Sequence, residues 1–443
     1  MGDNYEDLDK IQTQLLDILR YITIKNFEEY DISKLLFNIS GEALQLNCLR
    51  SLKRFIRILL FEQLNCEFDE FNSDLPLIIT YNYHRKDHTE YWERFKKIVG
   101  VYNEIEIEAK KAKLSSLRKT SEMIRLLCFY YSICKQLNMI NEKPVRRILA
   151  AYLADLMLLK QKLDSLKIIN KSAFIFFDGN YIENLIVQNL RHRGVTVATM
   201  QHGQPVFHGM GRDRINQTMI LNFSSDYIMV TGEFSKKQFM LGGVPSEHIF
   251  IGGSLRKVKP LKQVQGNNFA VFLDCPTNPN AKVDNLELLD AAELISELCD
   301  SNYIIKCHPQ DDSQNYKDIV MGRGTFASGD VSICDVLKDK AFGLLHASGV
   351  YLDIIAEGVK AFCYVNDTDF ALVEEGLDSF KDAKELSGKI QEWDSYDLNK
   401  KRKYMDQIIQ YYLYPIDVKN RYLNFVQTIN YKRDFGGASV NGK

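Results

Sequence analysis

The chain has 443 residues, 45% hydrophobic and 26% charged, with a net charge of −2. That length exceeds what a single core sustains, so two domains are expected. The composition is that of an ordinary globular protein. It excludes collagen-like, disordered and repeat architectures, and the charge gives no basis for general nucleic-acid affinity.

The opening "MGDNYEDLDK" is acidic, carries no apolar signal-peptide core, and has Glu6 where a myristoylation pattern needs Ser or Thr. Residues 5–72 read as helical, because Leu8, Ile11, Leu15, Leu19 and Ile22 recur at three- and four-residue spacing. Within them "RSLKRFIRILLFEQL" (50–64) joins basic residues to an apolar face. It reads either as a helix packed on the body with solvated cations or as a contact for an anionic membrane surface. "LPLIITYNYH" (75–84) reads as the first sheet strand, and residues 104–168 return to helical spacing. The longest apolar run, Ile148 to Leu159, is about half a membrane span and contains Asp155. Nine cysteines are dispersed without a CxxC pair. That pattern suits free thiols in a reducing compartment and gives no zinc site. The expected location is cytoplasmic, with peripheral contact at the inner face of the membrane as an option.

From residue 173 the texture changes. "AFIFFDG", helix "NYIENLIVQNLRHRG" and "VTVATMQHG" are followed by "SDYIMVTG", helix "EFSKKQFMLGGV" and "HIFIGGS". This alternation predicts βαβ units and a parallel sheet. "GGSLRKVKPLKQVQG" reads as a linker, after which a second block runs through "FAVFLDC", "YIIKCHP", "AFGLLHAS" and "KAFCYVND". Long polar helices fill 395–432. Two α/β halves joined near residue 255, with a cleft between their sheet edges, are the layout of a GT-B fold and of other two-Rossmann chains.

Four loops stand at strand ends, where ligands of parallel sheets bind. Asp178-Gly179 follows "FIFF"; Asp178 is either a helix cap or a site residue. Gln201-His202-Gly203 follows "VTVATM". A neutral imidazole there suits a general base for a hydroxyl acceptor, or serves the turn. Lys306-Cys307-His308-Pro309 could meet a diphosphate or simply end the strand. His346-Ala347-Ser348-Gly349 opens a helix whose N–H groups favour an anion, although Ser348 would also serve as a plain cap. There is no GxGxxG, no P-loop and no recognised metal spacing.

His202-Gly203-Gln204-Pro205, with Gly211-Arg212-Asp213 after it, resembles the "HG-x-P … GRD" signature of CDP-glycerol glycerophosphotransferases, which polymerise teichoic acids. Lys306-x-His308-Pro309 is similar to their "KxHP", and "SGVYLDIIAEGVKAFCYV" to their "SSVYFDY…KPIIFY" segment at Ser348, Val350, Tyr351 and Asp353. Asp178-Gly179, His308-Pro309 and Ser348 also resemble the acidic-Gly, HP and Ser motifs of bacterial GT-B enzymes for capsule and polysialic acid. The resemblance covers roughly residues 173–370. It implies His202 and Asp178 as catalytic residues and Lys306, His308, Pro309, Ser348, Gly349 and Asp353 as donor-binding. Gln201, Gly203, Arg212 and Asp213 fall in the acceptor-side loop. It further implies no metal and no cofactor beyond the nucleotide-activated donor. Gln201 stands where that family has Trp, and Ala347-Ser348-Gly349 where it has paired Ser, so the donor is left open.

The expectation is therefore α/β, GT-B: two Rossmann-like domains facing a cleft, with an additional helical N-terminal region. Its parts are helices at 1–72, an acceptor domain at 73–254, a nucleotide-donor domain at 255–394 and C-terminal helices at 395–443. The expected activity is an inverting transfer of a sugar or polyol phosphate to a hydroxyl of a growing cell-surface glycan. The partners would be a nucleotide-linked donor and a glycan or lipid-linked acceptor, with no nucleic acid. The alternatives are a nucleotide-sugar epimerase and a non-catalytic GT-B-like subunit, for which "KKRKY" (400–404) offers a basic surface.

Overall fold

The computed structural model describes residues 3–45, 48–60, 63–68, 73–81, 86–110, 119–201, 203–207, 217–275, 281–308, 311–320, 322–346, 348–365, 373 and 376–431. The elements run α1 (Asp3–Arg20), α2 (Ile32–Leu35), α3 (Phe37–Gln45), α4 (Cys48–Leu60), β1 (Gln63–Phe68), β2 (Leu77–Tyr81), α5 (Lys86–Val99) and β3 (Asn103–Lys110). Next come α6 (Thr120–Gln136), α7 (Lys143–Ser165), β4 (Ser172–Ile175), α8 (Tyr181–His192), β5 (Thr196–Met200), α9 (Thr218–Leu221), β6 (Tyr227–Val230), α10 (Glu233–Leu241) and β7 (Ile249–Ile251). The second half holds β8 (Phe269–Phe272), α11 (Ala281–Leu298), β9 (Tyr303–Lys306), β10 (Gly324–Phe326), α12 (Ile333–Val336), β11 (Phe342–Leu345), α13 (Val350–Ala356), β12 (Lys360–Tyr364) and β13 (Ser379–Phe380). It ends with α14 (Ala383–Ser395), α15 (Leu398–Tyr412) and α16 (Val418–Tyr431).

Two compact units result: residues 1–230, 238–252 and 419–443, and residues 231–237 and 253–418. The first unit has a seven-stranded sheet in the order β1-β3-β2-β4-β5-β6-β7. All its pairings are parallel except β1 with β3. Every residue of β4 is buried, as expected of a strand covered on both faces. The N-terminal helices are not set apart from this sheet: Leu15 and Leu19 of α1 and Ile58 of α4 share one core with α7 and with Leu77, Ile105, Ala173 and Val197 of the strands.

Two elements differ from the sequence reading. β1 lies inside the stretch expected to be helical, and β3 opens the second helical stretch. In β3, "NEIEIEAK" buries Ile105 and Ile107, the period-two alternation of a strand with one apolar side. The short β1 is stabilised by antiparallel pairing with β3, a partner some forty residues later that local spacing does not reveal.

α16 returns to the first unit. Arg421 donates to the Ile251 carbonyl at 2.7 Å, Ser172 donates to Asn430 Oδ1 at 2.5 Å, and Phe425 meets Phe250 with ring centroids 4.7 Å apart.

The second unit carries a six-stranded parallel sheet in the order β10-β9-β8-β11-β12-β13. Phe269 stacks on both Tyr303 and Phe342, at 5.2 and 4.9 Å. Lys360 is fully buried and paired with Asp378, which also accepts from Tyr351 Oη at 3.0 Å. Burial, with the Lys389 charge, pushes the Lys360 ammonium well below the ordinary lysine range, against the pull of Glu392. The rings of Phe362, Tyr404 and Trp393 lie 4.5–5.7 Å from its nitrogen.

Candidate active site

Asp178 and Gln201 follow the neighbouring parallel strands β4 and β5 of the first sheet. Asp178 does not cap α8, whose N-cap position is Asn180. It is 1% exposed, and its Oδ2 accepts from the backbone N–H groups of Ser224 and Ser225 at 2.9 and 2.7 Å. Burial pushes its carboxyl above the usual carboxylate range; those N–H groups and the Lys34 ammonium pull it back. Lys34 is pushed down by burial and held up by Asp178 and Asp31, and it donates to the Phe223 carbonyl at 2.5 Å.

Around Asp178 the amide donors are committed, while Asn222 Oδ1 is buried without a hydrogen bond among the described residues. Asn184 Nδ2 donates to the Asp178 carbonyl at 3.0 Å and to Ser224 Oγ at 2.8 Å. Asn222 Nδ2 donates to the carbonyls of Gly179 and Lys34 at 2.7 and 3.0 Å. Gln188 donates to Asn184 Oδ1 at 2.8 Å, and Thr218 donates to Asn38 Oδ1 at the same distance. Gly179 is required sterically, since a Cβ there would lie 2.3 Å from the Phe177 ring. Asn184, Gln188, Asn222 and Asn38 were not singled out in the sequence; for Asn184 and Gln188 the available signal was Asn and Gln within the apolar helix "NYIENLIVQNL".

After β5, buried Gln201 folds onto its own loop. Its N–H donates to the Met229 carbonyl at 2.9 Å and its Nε2 to the Gly203 carbonyl at 2.7 Å. Gly203 has φ +70°, a left-handed conformation that glycine adopts without strain. Phe207 N–H then donates to Gln238 Oε1 at 2.8 Å. The expected base His202, and Arg212 and Asp213, lie outside the described residues.

In the second unit the loops after β9, β8 and β11 leave three adjacent strands, so the outer two are about 10 Å apart. Lys306 ends β9, and its Nζ reaches the Gly329 carbonyl at 3.4 Å. Burial pushes the Cys307 thiol up to about 11. His308 follows, and Pro309 lies outside the described residues. Ser348 N–H donates to the His346 carbonyl at 2.5 Å; the N-cap of α13 is Gly349, and Val350 N–H meets Ser348 Oγ only at 3.4 Å. Ser348 is therefore not the helix cap. Asp353, in the first turn of α13, is paired with Arg256 Nε at 2.6 Å, both half-buried.

The structure adds residues here that the sequence reading did not select. His346 Nδ1 lies 3.8 Å from Asp284 Oδ2, both deeply buried. Asp274 N–H donates to Asn285 Oδ1 at 2.8 Å, Asn285 donates to Tyr316 Oη at 3.1 Å, and Tyr316 donates to Asp311 Oδ2 at 2.6 Å. That chain ties the loop after β8 to the loop after β9. Arg256 sat in a run read as linker; its charge beside a strand-end helix was the usable signal.

A cavity of about 630 Å³, lined by Lys34, Arg191, His192, Asp226 and His248, lies at the opposite, amino edge of β5 and β6. Among the described residues no group of three His, Cys, Asp or Glu could hold a metal ion, and none of the described cysteines is in a disulfide. No described helix is long and apolar enough to cross a membrane.

Two α/β units, each presenting polar loops at the carboxyl edge of a parallel sheet, define the chain as a GT-B fold. No protein-family model and no curated protein sequence matches it. The UDP-GlcNAc 2-epimerase of Neisseria meningitidis bound to UDP-GlcNAc is similar in fold at 10% identity, with a TM-score of 0.50 over 80% of this chain and 99% of that one. S. aureus MnaA in complex with UDP gives 0.49 at 11% identity, covering 81% and 97%. Trehalose-6-phosphate synthase OtsA gives 0.48 at 12%, covering 80% and 98%.

Proposed function

We propose that the chain is a nucleotide-dependent transferase that moves a sugar or polyol phosphate to a hydroxyl of a growing surface glycan. The observation that carries this is the placement of Lys306 and His308 after β9 and of the Ser348–Gly349 turn after β11, at the same edge of one parallel sheet with only β8 between them. Two cation-forming side chains and the weakly committed Ser348 hydroxyl suit the negative charge that develops on a departing diphosphate. Arg256, in the segment before β8, adds a further cation where it pairs with Asp353 of α13.

In this reading His202 takes the proton of the acceptor hydroxyl as it attacks in line, and a transferred sugar inverts. Asp178 has a positioning role: it fixes the 224–225 backbone before β6. A lipid-linked acceptor would bring the chain to the inner face of the membrane. The basic run at 400–403 is partly committed elsewhere, since Lys400 sits over the Tyr396 ring at 3.4 Å and Lys401 beside Asp394 and Trp393.

Purified protein incubated with CDP-, CMP-, UDP-, GDP- and dTDP-linked donors is expected to release one nucleotide. His202→Ala and His308→Ala should each lower the rate at least a hundredfold. Full turnover in both variants rejects the mechanism.

A second reading, a nucleotide-sugar epimerase, has two observations in its favour: the fold shared with the Neisseria enzyme, and the Asp284 carboxylate buried beside His346. An epimerised nucleotide sugar formed without acceptor would select it. A chain that binds no nucleotide at all would instead be a glycan- or partner-binding subunit.

A further inference from the structure

α4 reads "CLRSLKRFIRILL": Arg50, Lys53, Arg54 and Arg57, with no acidic residue. Its inner side is well accounted for. Ile58 is fully buried, Arg54 donates to Tyr152 Oη of α7 at 2.6 Å, and Phe55 meets the Tyr130 ring of α6 at 4.6 Å. Leu52 and Ile56, one turn apart, are left outside with 53% and 41% exposure.

α6 repeats the pattern. Leu126, Ile133 and Leu137 beyond its end are buried, while Ile124, Leu127 and Tyr131 keep 57%, 42% and 65% exposure. At 100° per residue these three form one stripe, turned away from the buried positions. The Phe55–Tyr130 contact makes the seam between the helices, so the two apolar stripes flank it. Exposed Arg50, Lys53 and Arg57 border the stripe on α4, and Lys135, 4.8 Å from the Tyr131 ring, borders it on α6, while Arg125 turns to Gln161 of α7.

We infer that the outward face shared by α4 and α6 rests on an anionic lipid surface. Isolated exposed apolar side chains are common, but two aligned stripes with a tyrosine and a one-sided basic border are not explained by solvation. Leucine and isoleucine enter the acyl boundary, tyrosine suits the headgroup level, and Lys and Arg extend along apolar surface to reach phosphates. The chain as a whole is slightly acidic, so this positive charge is local. Helices of 13 and 17 residues lie on the surface rather than span it. The inference deepens the membrane-facing part of the proposed function and rests on that reading only for its purpose. Its readout is vesicle binding rather than turnover, so either can fail alone.

The test is co-sedimentation of the full chain with phosphatidylcholine vesicles, with and without phosphatidylglycerol, across a salt series. Binding should require phosphatidylglycerol and weaken with salt. Arg50→Gln/Lys53→Gln/Arg57→Gln should weaken it about a hundredfold, roughly fivefold per charge. Leu52→Ser/Ile124→Ser should weaken it at every salt concentration, with an unchanged thermal melt showing that the fold is intact. Wild-type binding by the charge-neutralised chain overturns the inference. So does an apolar variant that binds vesicles normally but loses a dimer in light scattering, because the face would then join two copies.

Discussion

Asp178 offers the sharpest separation of positioning from chemistry. Removing its side chain strands the N–H groups of Ser224 and Ser225, both aimed at one oxygen in a site closed to water. A stranded buried donor costs about 1–3 kcal/mol, and deleting a buried charge returns part of the sum, so Asp178→Ala should lose about 3 kcal/mol. Asp178→Asn keeps one acceptor oxygen at the same place and should lose less than about 1 kcal/mol. The chain has two tryptophans. Trp92 is buried in the first unit and Trp393 lies in the second, so fluorescence in a Trp393→Phe background reports the first unit alone during urea unfolding. The carboxyl is raised by burial, so the folded state keeps its proton to higher pH than the unfolded chain. Its contribution to stability is then greatest in acid and falls as pH rises from the ordinary carboxylate value through the folded one. Asp178→Asn should flatten that fall. An unchanged midpoint for Asp178→Ala, or equal losses for the Ala and Asn variants, refutes the account. A stable Asp178→Asn chain without turnover would make the carboxylate catalytic.

The other predictions fall in the second unit. Lys360→Met leaves Asp378 buried without its cation and should cost about 3–5 kcal/mol by Trp393 fluorescence; adding Asp378→Leu should recover most of it. Arg256→Gln breaks a half-exposed pair, so stability should shift by about 1 kcal/mol or less, while nucleotide affinity by titration should fall about tenfold. Unchanged affinity would remove Arg256 from the donor site. Because burial pushes Cys307 up to about 11, its alkylation by iodoacetamide near neutral pH, followed by peptide mass spectrometry, should lag the exposed Cys128 and Cys334 by about a hundredfold. Equal rates would mean that the strand-end loop opens.

Much of the sheet architecture is legible in the sequence because parallel strands buried on both faces are short apolar runs between turns. β4, β5, β6, β8, β9, β11 and β12 each show that texture. β1 and β3 do not: β3 alternates buried Ile105 and Ile107 with Glu104 and Glu106, and β1 is fixed by antiparallel pairing with β3 rather than by an apolar run of its own. The fate of the terminal helices is likewise long-range. α16 closes the first unit through Ser172, Ile251 and Phe250, far away in the chain, and no local spacing encodes which unit a helix will rejoin.

Strand ends tell which polar residues reach an edge, but not where their polar atoms are spent. Asp178, Gln201 and Ser348 all follow strands and all carry chemistry-capable groups. Gln201 spends its amide on the Gly203 carbonyl two residues on. Asp178 spends its carboxylate on two N–H groups of the 224–225 segment. Ser348 yields the N-cap position to Gly349, and its hydroxyl makes only a 3.4 Å contact with Val350 N–H. A group already saturated inside the protein has little left for a ligand, whereas a weakly committed one can exchange its contact without stranding a partner. By that criterion Lys306, with one long 3.4 Å contact among the described residues, and Ser348 keep polar atoms to offer a ligand, and Asp178 does not.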